Sequence, residues 1–437
     1  MVVKAAWRTV LEGVVSGVRA AAAPGPLVAA GVAVALASGR DLEPGAAVHL
    51  LAVGKAGAGM LEGIDPRVLP VRRACVTLPP GQAARWEPPR GVPARALACD
   101  HPLPTARNVE AAREVASFVA STPAADTLLV LLSGGASAHL TLPREGVSLE
   151  DVQAFAGALM RAGASIRELN ACRRRLEALK GGGLARLRPA GSTLVLVLSD
   201  VIGDPLEVIG SGPFTPDSTR PEEAIAAFDR FIPRGAHTKV RSALEASPSA
   251  VDRLDPCFRG VTHRVVGNND RAVEGAVAAL RERGIAIGEI HRAQEGPVAS
   301  WASLLLNAMR GPAEGPQAWV VGGEPVVNVG ETGGTGGPSQ ELALTIAAAL
   351  DGVEGWVLAT LSTDGIDGPT HVAGAIVDGG TCRRALQGGV DPAKALAAHD
   401  STRALEAAGD ALVTGPTGTN VNHVAALVRF PTGWGPR

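Results

Sequence analysis

The chain has 437 residues, of which 46% are apolar, so it can bury a large core, and this length suggests two or three domains. Its formal net charge is −2, with 41 basic and 43 acidic residues, and this balance argues against nucleic acid or an anionic membrane as a partner. The five cysteines are widely spaced and form no CxxC or Cys/His cluster. We therefore expect neither disulfides nor a zinc site, but reduced thiols in a cytoplasmic protein.

The N-terminal region predicts an amphipathic helix, followed by an Ala/Gly-rich stretch at 20–39 that we expect to be neither a signal nor a membrane span. Apolar strand candidates then recur, each followed by glycine or an acid, at 48–54, 127–135, 192–200, 262–270, 317–324 and 355–365. Helical patterns lie between them, for example at 110–121, 149–163 and 270–284. This alternation predicts parallel sheets covered on both sides, with ligands at the carboxyl ends of the strands.

Proline, serine and aspartate interrupt the alternation between about 215 and 260, which suggests a domain boundary there. We therefore predict an α/β fold with two domains and a cleft between them. Residues 1–235 would form a Rossmann-like parallel sheet with flanking helices, and residues 236–437 a second, smaller α/β domain.

Lysine is rare in this chain, at positions 4, 55, 180, 239 and 394, and Lys55 lies in the segment LAVGKAGAGM, at 51–60. A strand, a glycine, a lysine and small residues that open a helix suit an anion, because exposed N–H groups and a full positive charge coincide there. The segment fits neither a Walker A loop nor a clean GxGxxG fingerprint. The alternative is a tight turn with an incidental surface lysine.

The segment TLLVLLSGGASAHL, at 127–140, is a buried strand that ends in small residues. The two glycines allow backbone N–H groups to converge on an oxyanion, with the serine hydroxyls as further donors, and the residues concerned are Ser133, Gly134, Gly135 and Ser137. A hydrolase elbow is a rival, but histidine stands at position 139 where GxSxG needs glycine. A glycine turn that only permits close helix packing is the other alternative.

Two further segments carry charged residues. ELNACRRRLEALKGGGLA, at 168–185, predicts one helix, ended by three glycines, that carries Asn170, Arg173, Arg174 and Lys180. Lys180 in its last turn could simply compensate the helix dipole. Asp200 follows a buried strand, where it could hold Mg²⁺, orient a hydroxyl or merely cap a turn. Several glycine-rich loops at strand ends, with acids and two lysines, favour phosphoryl transfer.

The ordered set of motifs resembles the glycerate 2-kinases whose C-terminal half is the MOFRL domain, some members of which are labelled hydroxypyruvate reductases. The motifs are VGKAGAGM, DHPLPT, LLSGGASA, NACRRRLEALKGGGLA, SDVIGDPLEVIGSGPFTPD, GGEPVV, GGPSQELAL, STDGIDGPT and TGPTGTNVN. They cover most of the chain, and the MOFRL-like region would span about 310–430.

This resemblance implies transfer of the γ-phosphate of ATP to the 2-hydroxyl of D-glycerate, giving 2-phosphoglycerate and ADP, with Mg²⁺. By motif, Lys55, Asp200, Arg173 and Lys180 would be catalytic, with Asp200 also the metal ligand. D-Glycerate would contact Lys55, Ser133, Gly134, Gly135, Ser137, Asn170 and Arg173. The nucleotide would be bound by Gly323, Glu324, Gly336, Gly337, Gln340, Asp364, Asp367 and Asn420.

The chain departs from the common family pattern where many members carry Arg-Asn in place of Pro338-Ser339 and aspartate in place of Thr105, His371 and His423. An NAD(P)H-dependent hydroxypyruvate reductase is a second hypothesis, disfavoured because the dinucleotide fingerprint is missing. A non-catalytic sugar-acid or nucleotide sensor is a third, and no appended effector segment favours it. A homo-oligomer is compatible with the resemblance.

Overall fold

A computed structural model of the chain describes residues 2–189, 191–247, 251–309, 315–330, 333–431 and 434. These residues form two compact units. The N-terminal unit comprises 24–199 and 204–266, and the C-terminal unit comprises 1–23, 200–203 and 267–437. Helix α1, Val2–Ala21, therefore packs with the C-terminal unit. The two compact units do not test whether the chain divides into separate domains near residue 235, so that boundary stays a prediction.

The N-terminal unit is built on a six-stranded sheet with the strand order β3-β2-β1-β4-β5-β6, which is the order of doubly wound α/β proteins. The strands are β1 Val48–Val53, β2 Val71–Leu78, β3 Ala94–Ala98, β4 Thr127–Ser133, β5 Thr193–Leu198 and β6 Val261–Gly267. Its helices are α2 Pro24–Ser38, α3 Gly57–Leu61, α4 Pro80–Ala83, α5 Ala106–Ala120, α6 Ala136–His139, α7 Leu149–Arg161, α8 Ile166–Leu176, α9 Gly183–Leu187, α10 Pro221–Phe231 and α11 Thr238–Glu245.

The central strands of this sheet are buried along their whole length, as their continuous apolar runs predict. Strands β1 and β4 are parallel neighbours, and their last paired residues are Val53 and Leu132. Because the two strands end at the same level, Gly54-Lys55 after β1 and Ser133-Gly134 at the end of β4 meet at one edge of the sheet.

The C-terminal unit has a second six-stranded sheet, with the order β11-β10-β9-β12-β8-β7. Its strands are β7 Ala286–Pro297, β8 Gln317–Val326, β9 Trp356–Ser362, β10 Gly374–Asp378, β11 Ala411–Leu412 and β12 His423–Arg429. Its helices, besides α1, are α12 Asn269–Glu282, α13 Val298–Ala308, α14 Pro338–Ala349, α15 Thr381–Gln387, α16 Pro392–Ala397 and α17 Ser401–Ala408.

The prediction of a parallel sheet is wrong for this unit. Only β7 and β8 pair in parallel among the strand pairs of its described residues, whereas β9, β10, β11 and β12 form antiparallel pairs. For β9 and β10 the physical reason is that a loop connects them directly, without the crossover helix that a parallel pair requires.

Helix α1 packs against α12 and against the second sheet. At the helix crossing, a Cβ built on Gly275 would lie 2.5 Å from the carbonyl oxygen of Gly17, so the two backbones are in close contact. The Trp7 ring stacks on Phe430 at a centroid distance of 5.1 Å. The amphipathic N-terminal helix that the sequence predicts thus contributes its apolar face to the core of the C-terminal unit.

Among the described residues, no single helix has the length and apolar character needed to cross a membrane. Only the segments Ala6–Ala21 and Pro24–Ser38, taken together across the break between them, reach that length and composition.

The contact between α1 and α12 gives a stability prediction. Gly275→Ala should lower the stability of the fold by about 1–3 kcal/mol, because the added methyl group overlaps the Gly17 backbone. Helix propensity alone would change stability in the opposite direction, by about 1 kcal/mol. The midpoint of thermal unfolding, followed by circular dichroism, measures the net effect.

The control is Gly81→Ala in α4, where an added Cβ meets no atom within 4 Å. We expect its unfolding midpoint to equal or slightly exceed that of the unmodified chain. A Gly275→Ala midpoint as high as that of this control would contradict the close contact of the two helices.

Candidate functional site

The turn after β1 and the turn after β4 are joined by backbone and side-chain hydrogen bonds. The amide of Lys55 donates to the carbonyl of Gly134 at 2.8 Å. The amide of Ala56 donates to the hydroxyl of Ser133 at 3.1 Å. The Ser133 hydroxyl is buried and also donates to the carbonyl of Val53, so its contacts hold the Lys55 turn in place.

Glycine is required at two positions of these turns. Gly54 has φ +111°, and a Cβ there would lie 2.4 Å from the carbonyl oxygen of Ser133. Gly135 has φ +83°, and a Cβ there would lie 2.9 Å from Cγ of Lys55. The lysine stem therefore runs directly over the second glycine turn, and the Lys55 side chain is exposed. The structure brings Lys55 and residues 133–137 together.

The helices that follow the two turns are short, five residues in α3 and four in α6. A helix of one turn has only a small macrodipole, so the positive charge of this site comes from the Lys55 ammonium. The sequence-based argument from helix N-termini therefore contributes less than expected.

Two histidines lie beside Lys55, and sequence reasoning assigned neither. The ring of His101 packs over Gly135, with Cδ2 at 3.1 Å from a Cβ built there. The His139 ring meets the His101 ring edge-on, with a centroid distance of 6.4 Å. His101 belongs to the motif DHPLPT, which was the available signal, but the sequence does not show that this loop reaches the Lys55 turn.

A second polar group of the N-terminal unit includes Ser137 and Asn170. The hydroxyls of Ser137 and Ser211 lie 2.8 Å apart, and Ser211 donates to Oδ1 of Asn170 at 3.3 Å. Asn170 is buried. Ser211, which sequence reasoning missed, thus links two of the predicted substrate ligands.

Next to this group, Glu177 holds two cations. Its carboxylate accepts from Nε of Arg173 at 3.3 Å and from the ammonium of Lys180. Nη2 of Arg173 also donates to the carbonyl of Ser137 at 3.4 Å. Burial and the charge of Arg173 lower the pKa of Lys180, against the effect of Glu177. Glu177, also missed by sequence reasoning, therefore fixes Arg173 beside Ser137.

The prediction that Lys180 lies in the last turn of a helix is wrong. Helix α8 ends at Leu176, Glu177 has an extended backbone, and Lys180 lies in the following turn with a fully buried side chain. Its role is to pair with buried Glu177, because an ammonium without a carboxylate would be costly there. Arg174 does lie on α8, but it is buried and pairs with Asp217 at 3.2 Å.

In the C-terminal unit, Asp200 lies beside two asparagines. Nδ2 of Asn422 donates to the carbonyl of Asp200 at 2.8 Å, and Nδ2 of Asn420 approaches its carboxylate at 3.4 Å. Glu324 accepts from Asn422 at 3.4 Å. Desolvation by the surrounding protein and the negative charges of Asp200 and Glu295 raise the pKa of Glu324. The structure thus brings Asp200, Glu324 and Asn420 together.

Gln340 and Asp367 are brought together too, but both side chains are fully buried. The Asp367 carboxylate accepts from the amides of Ser339 and Gln340 at the start of α14. Gln340 also donates to Thr370 and accepts from Thr402. These partners fill the hydrogen-bonding capacity of both side chains within the protein. The two residues therefore hold the start of α14 in place, and their buried polar atoms are not open to a ligand.

Asp364 lies in a turn, where its carboxylate accepts from the Ser362 hydroxyl at 2.8 Å and from the amide of Ile366 at 3.0 Å. Ser339 and His423, two positions at which the chain departs from the family pattern, are in contact. The hydroxyl of Ser339 lies 2.8 Å from Nδ1 of His423. Burial lowers the pKa of His423. An uncharged pair therefore stands at this position.

The predicted nucleotide-binding glycines of this unit lie against protein atoms. A Cβ would lie 2.0 Å from the Gln294 carbonyl oxygen at Gly323, 2.2 Å from the Ser401 hydroxyl at Gly336, and 2.4 Å from the Asp367 backbone at Gly337. Close packing therefore explains all three glycines without a ligand. Residues 331 and 332 of the same loop lie outside the described residues.

Within the described residues, no group of three or more His, Cys, Asp or Glu side chains could hold a metal ion by itself. Mg²⁺ bound with substrate phosphates, however, takes only one or two carboxylates from the protein. Asp200 and Glu324 fit that requirement. The negative charge of Asp200 raises the pKa of Glu324, and a cation bound between the two carboxylates would relieve their repulsion.

The sequence matches a domain of unknown function, DUF4147, over residues 10–245 and the MOFRL family over residues 317–423. A D-glycerate 2-kinase of Thermotoga maritima is 39% identical over 329 residues, which cover 74% of this chain and 77% of that protein. A putative hydroxypyruvate reductase of Agrobacterium vitis is 36% identical over 343 residues, which cover 76% of each chain.

The fold is also similar to a solved structure. The crystal structure of glycerate kinase from Thermotoga maritima superposes with a TM-score of 0.84 at 33% identity, over 97% of this chain and 99% of that chain. The family match over more than half of the sequence and the agreement in fold lead to one conclusion: the chain belongs to the glycerate 2-kinase family, with a DUF4147 domain followed by a MOFRL domain.

Proposed function

We propose that the protein is a glycerate 2-kinase, which transfers the γ-phosphate of ATP to the 2-hydroxyl of D-glycerate and gives 2-phosphoglycerate and ADP. Family membership supports this activity. The structural observation that carries it is the hydrogen bond from the Lys55 amide to Gly134, which places the stem of an exposed lysine over the glycine turn.

In this reaction the 2-hydroxyl oxygen forms a bond to the γ-phosphorus while the bond from that phosphorus to the bridging oxygen of ADP breaks. Charge accumulates on the transferring phosphoryl oxygens, so positioning and electrostatic stabilisation supply most of the catalysis. Lys55 would meet this charge as a compact cation. The hydroxyl proton would go to a carboxylate, for which we propose Asp200.

We assign substrate binding to Lys55, Arg173 and Ser137 of the N-terminal unit, with buried Asn170 as their support. Arg173 is held by Glu177 and donates to the Ser137 carbonyl, so its guanidinium is fixed beside the glycine turn. Ser137 and Asn170 are linked through Ser211. Lys180 acts through Glu177 as a positioning residue, since its buried ammonium has a carboxylate partner.

Of the predicted nucleotide contacts, we retain Glu324, Asp364 and Asn420. When bound, Mg²⁺ would neutralise charge on the phosphates of ATP, and we propose that Asp200 and Glu324 hold it. Asn420 and Asn422 orient the Asp200 segment through hydrogen bonds. A cytoplasmic location is part of this proposal, in line with five cysteines that are all free thiols.

The first experiment tests the reaction class. Purified protein with ATP, Mg²⁺ and D-glycerate should release ADP in a coupled assay, and omission of D-glycerate should abolish the release. Hydroxypyruvate with NADH or NADPH should leave the nicotinamide absorbance unchanged. Consumption of NAD(P)H with no ADP release would contradict the proposal and support the reductase hypothesis instead.

Lys55→Met should reduce kcat at least about 100-fold, because it removes a cation that stabilises charge developing in the transition state. The matched control is Lys239→Met, since Lys239 is an exposed lysine on α11 of the same unit. We expect this control to keep normal kcat and KM values, and circular dichroism to show both variants folded. Normal turnover by Lys55→Met would exclude Lys55 from the mechanism.

Glu324→Gln should raise the Mg²⁺ concentration needed for half-maximal rate about tenfold or more, because a ligand charge is lost. Protonation competes with the metal, so in the unmodified enzyme this concentration should fall as pH rises through the raised pKa of Glu324. The variant should lose that part of the pH dependence.

The control is Glu289→Gln, since Glu289 is an exposed residue of β7. We expect its Mg²⁺ titration to match that of the unmodified enzyme at each pH. An unchanged Mg²⁺ requirement in Glu324→Gln would show that Glu324 is not a metal ligand.

A further inference from the structure

The proposed mechanism leaves two histidines beside Lys55 unused. His101 reaches solvent, and in the described part of the chain neither of its ring nitrogens has a hydrogen-bond partner. His139 is fully buried; its Nδ1 lies 2.8 Å from the Thr77 hydroxyl, and its Nε2 has no partner within the described residues. A buried imidazole nitrogen without a partner, such as Nε2 of His139, is uncommon in proteins. The exposed nitrogens of His101 are open to a ligand beside Lys55.

A buried amide joins the two backbone segments that carry these rings. The side chain of Asn108 donates to the carbonyls of Asp100 and Ala138 at 2.9 and 3.0 Å, and it accepts from the Asp100 amide at 3.0 Å. These two backbone segments carry His101 and His139. The same side chain therefore sets the distance between the His101 loop and helix α6, so the His101 backbone is held next to the Gly135 turn.

His139 also contacts Thr77, the residue that holds the backbone before Lys55. The Thr77 hydroxyl, which meets Nδ1 of His139, accepts from the amide of Gly54 at 3.3 Å. Gly54 directly precedes Lys55. His139 is therefore a positioning residue that links the His101 ring to the Lys55 turn.

Both imidazoles are neutral at neutral pH. Partial burial and the charge of Lys55 lower the pKa of His101 to about 4. Burial, His101 and Lys55 lower the pKa of His139 to about 4, against the opposing effect of Asp100. A neutral imidazole has one N–H donor and one acceptor nitrogen. Next to Lys55, His101 thus offers a directed donor without a second positive charge.

We propose that His101 is a substrate-contacting residue, whose ring N–H donates a hydrogen bond to the carboxylate of the 2-hydroxy acid held beside Lys55. This proposal rests on the proposed function and names a substrate contact that it lacked. A lysine ammonium holds an anion without fixed direction, whereas an imidazole donor has a fixed one. The pair would hold the acceptor molecule in one orientation, which favours attack by its 2-hydroxyl.

The kinetic test compares His101→Ala and His101→Gln with the control His291→Ala, a histidine of β7 in the C-terminal unit. His101→Ala should raise KM for D-glycerate about 10- to 100-fold with a much smaller change in kcat, because a hydrogen bond to a charged group is lost in both ground and transition states. His101→Gln keeps an N–H donor and should recover most of the affinity. The control should keep its KM, and KM for ATP should stay unchanged in all variants.

An unchanged KM for D-glycerate in folded His101→Ala, in an enzyme that phosphorylates D-glycerate, would overturn the inference and leave the proposed function standing. Should the unmodified enzyme not phosphorylate D-glycerate, the proposed function fails, and inorganic phosphate then serves as the anion probe. By NMR of histidine labelled with ¹³C, saturating phosphate should raise the pKa of His101, because a bound anion favours the imidazolium. An unchanged pKa would overturn the inference in that case.

Discussion

The hydrogen bond between the Lys55 amide and the Gly134 carbonyl is the contact on which the candidate site depends. It exists because β1 and β4 are adjacent parallel strands that end at the same level. Two apolar runs far apart in sequence thus place their following turns side by side. Gly54 and Gly135 then allow the lysine stem and the opposite turn to approach within van der Waals distance, which a side chain at either position would prevent.

Around this contact, the N-terminal unit has buried, paired charges and one exposed lysine. Arg174 and Arg175 pair with buried Asp217, and Lys180 pairs with buried Glu177. Such buried pairs hold the backbone in one arrangement, because removal of one partner leaves an uncompensated charge. Lys55 has an exposed side chain, and the two histidines beside it are neutral. Beside the two histidines, the charge available to an anion is therefore that of the Lys55 ammonium.

The sequence predicted those parts of the fold that depend on local pattern. Continuous apolar runs located β1, β4 and β5. Lys55, just after β1, and Ser133, at the end of β4, were correctly expected at one edge of a sheet. The antiparallel strands β10 to β12 were missed because short apolar segments cannot be told from loops or buried helix segments by periodicity alone. The place of Lys180 was also missed, since pairing with Glu177 replaced the last helical turn.

Polar side chains were harder to assign, because their partners come from distant segments. Gln340 and Asp367 have the residue types of ligand contacts, yet each finds its partners within the protein. His101 lies beside Lys55 because Asn108 joins the His101 loop to helix α6. The proposed assignment is tested most directly by phosphorus NMR of the product from ATP, Mg²⁺ and D-glycerate. We predict a new phosphomonoester doublet, since phosphorus at the 2-position couples to one carbon-bound proton. A triplet from coupling to the two protons at C3, or no new signal, would contradict the account.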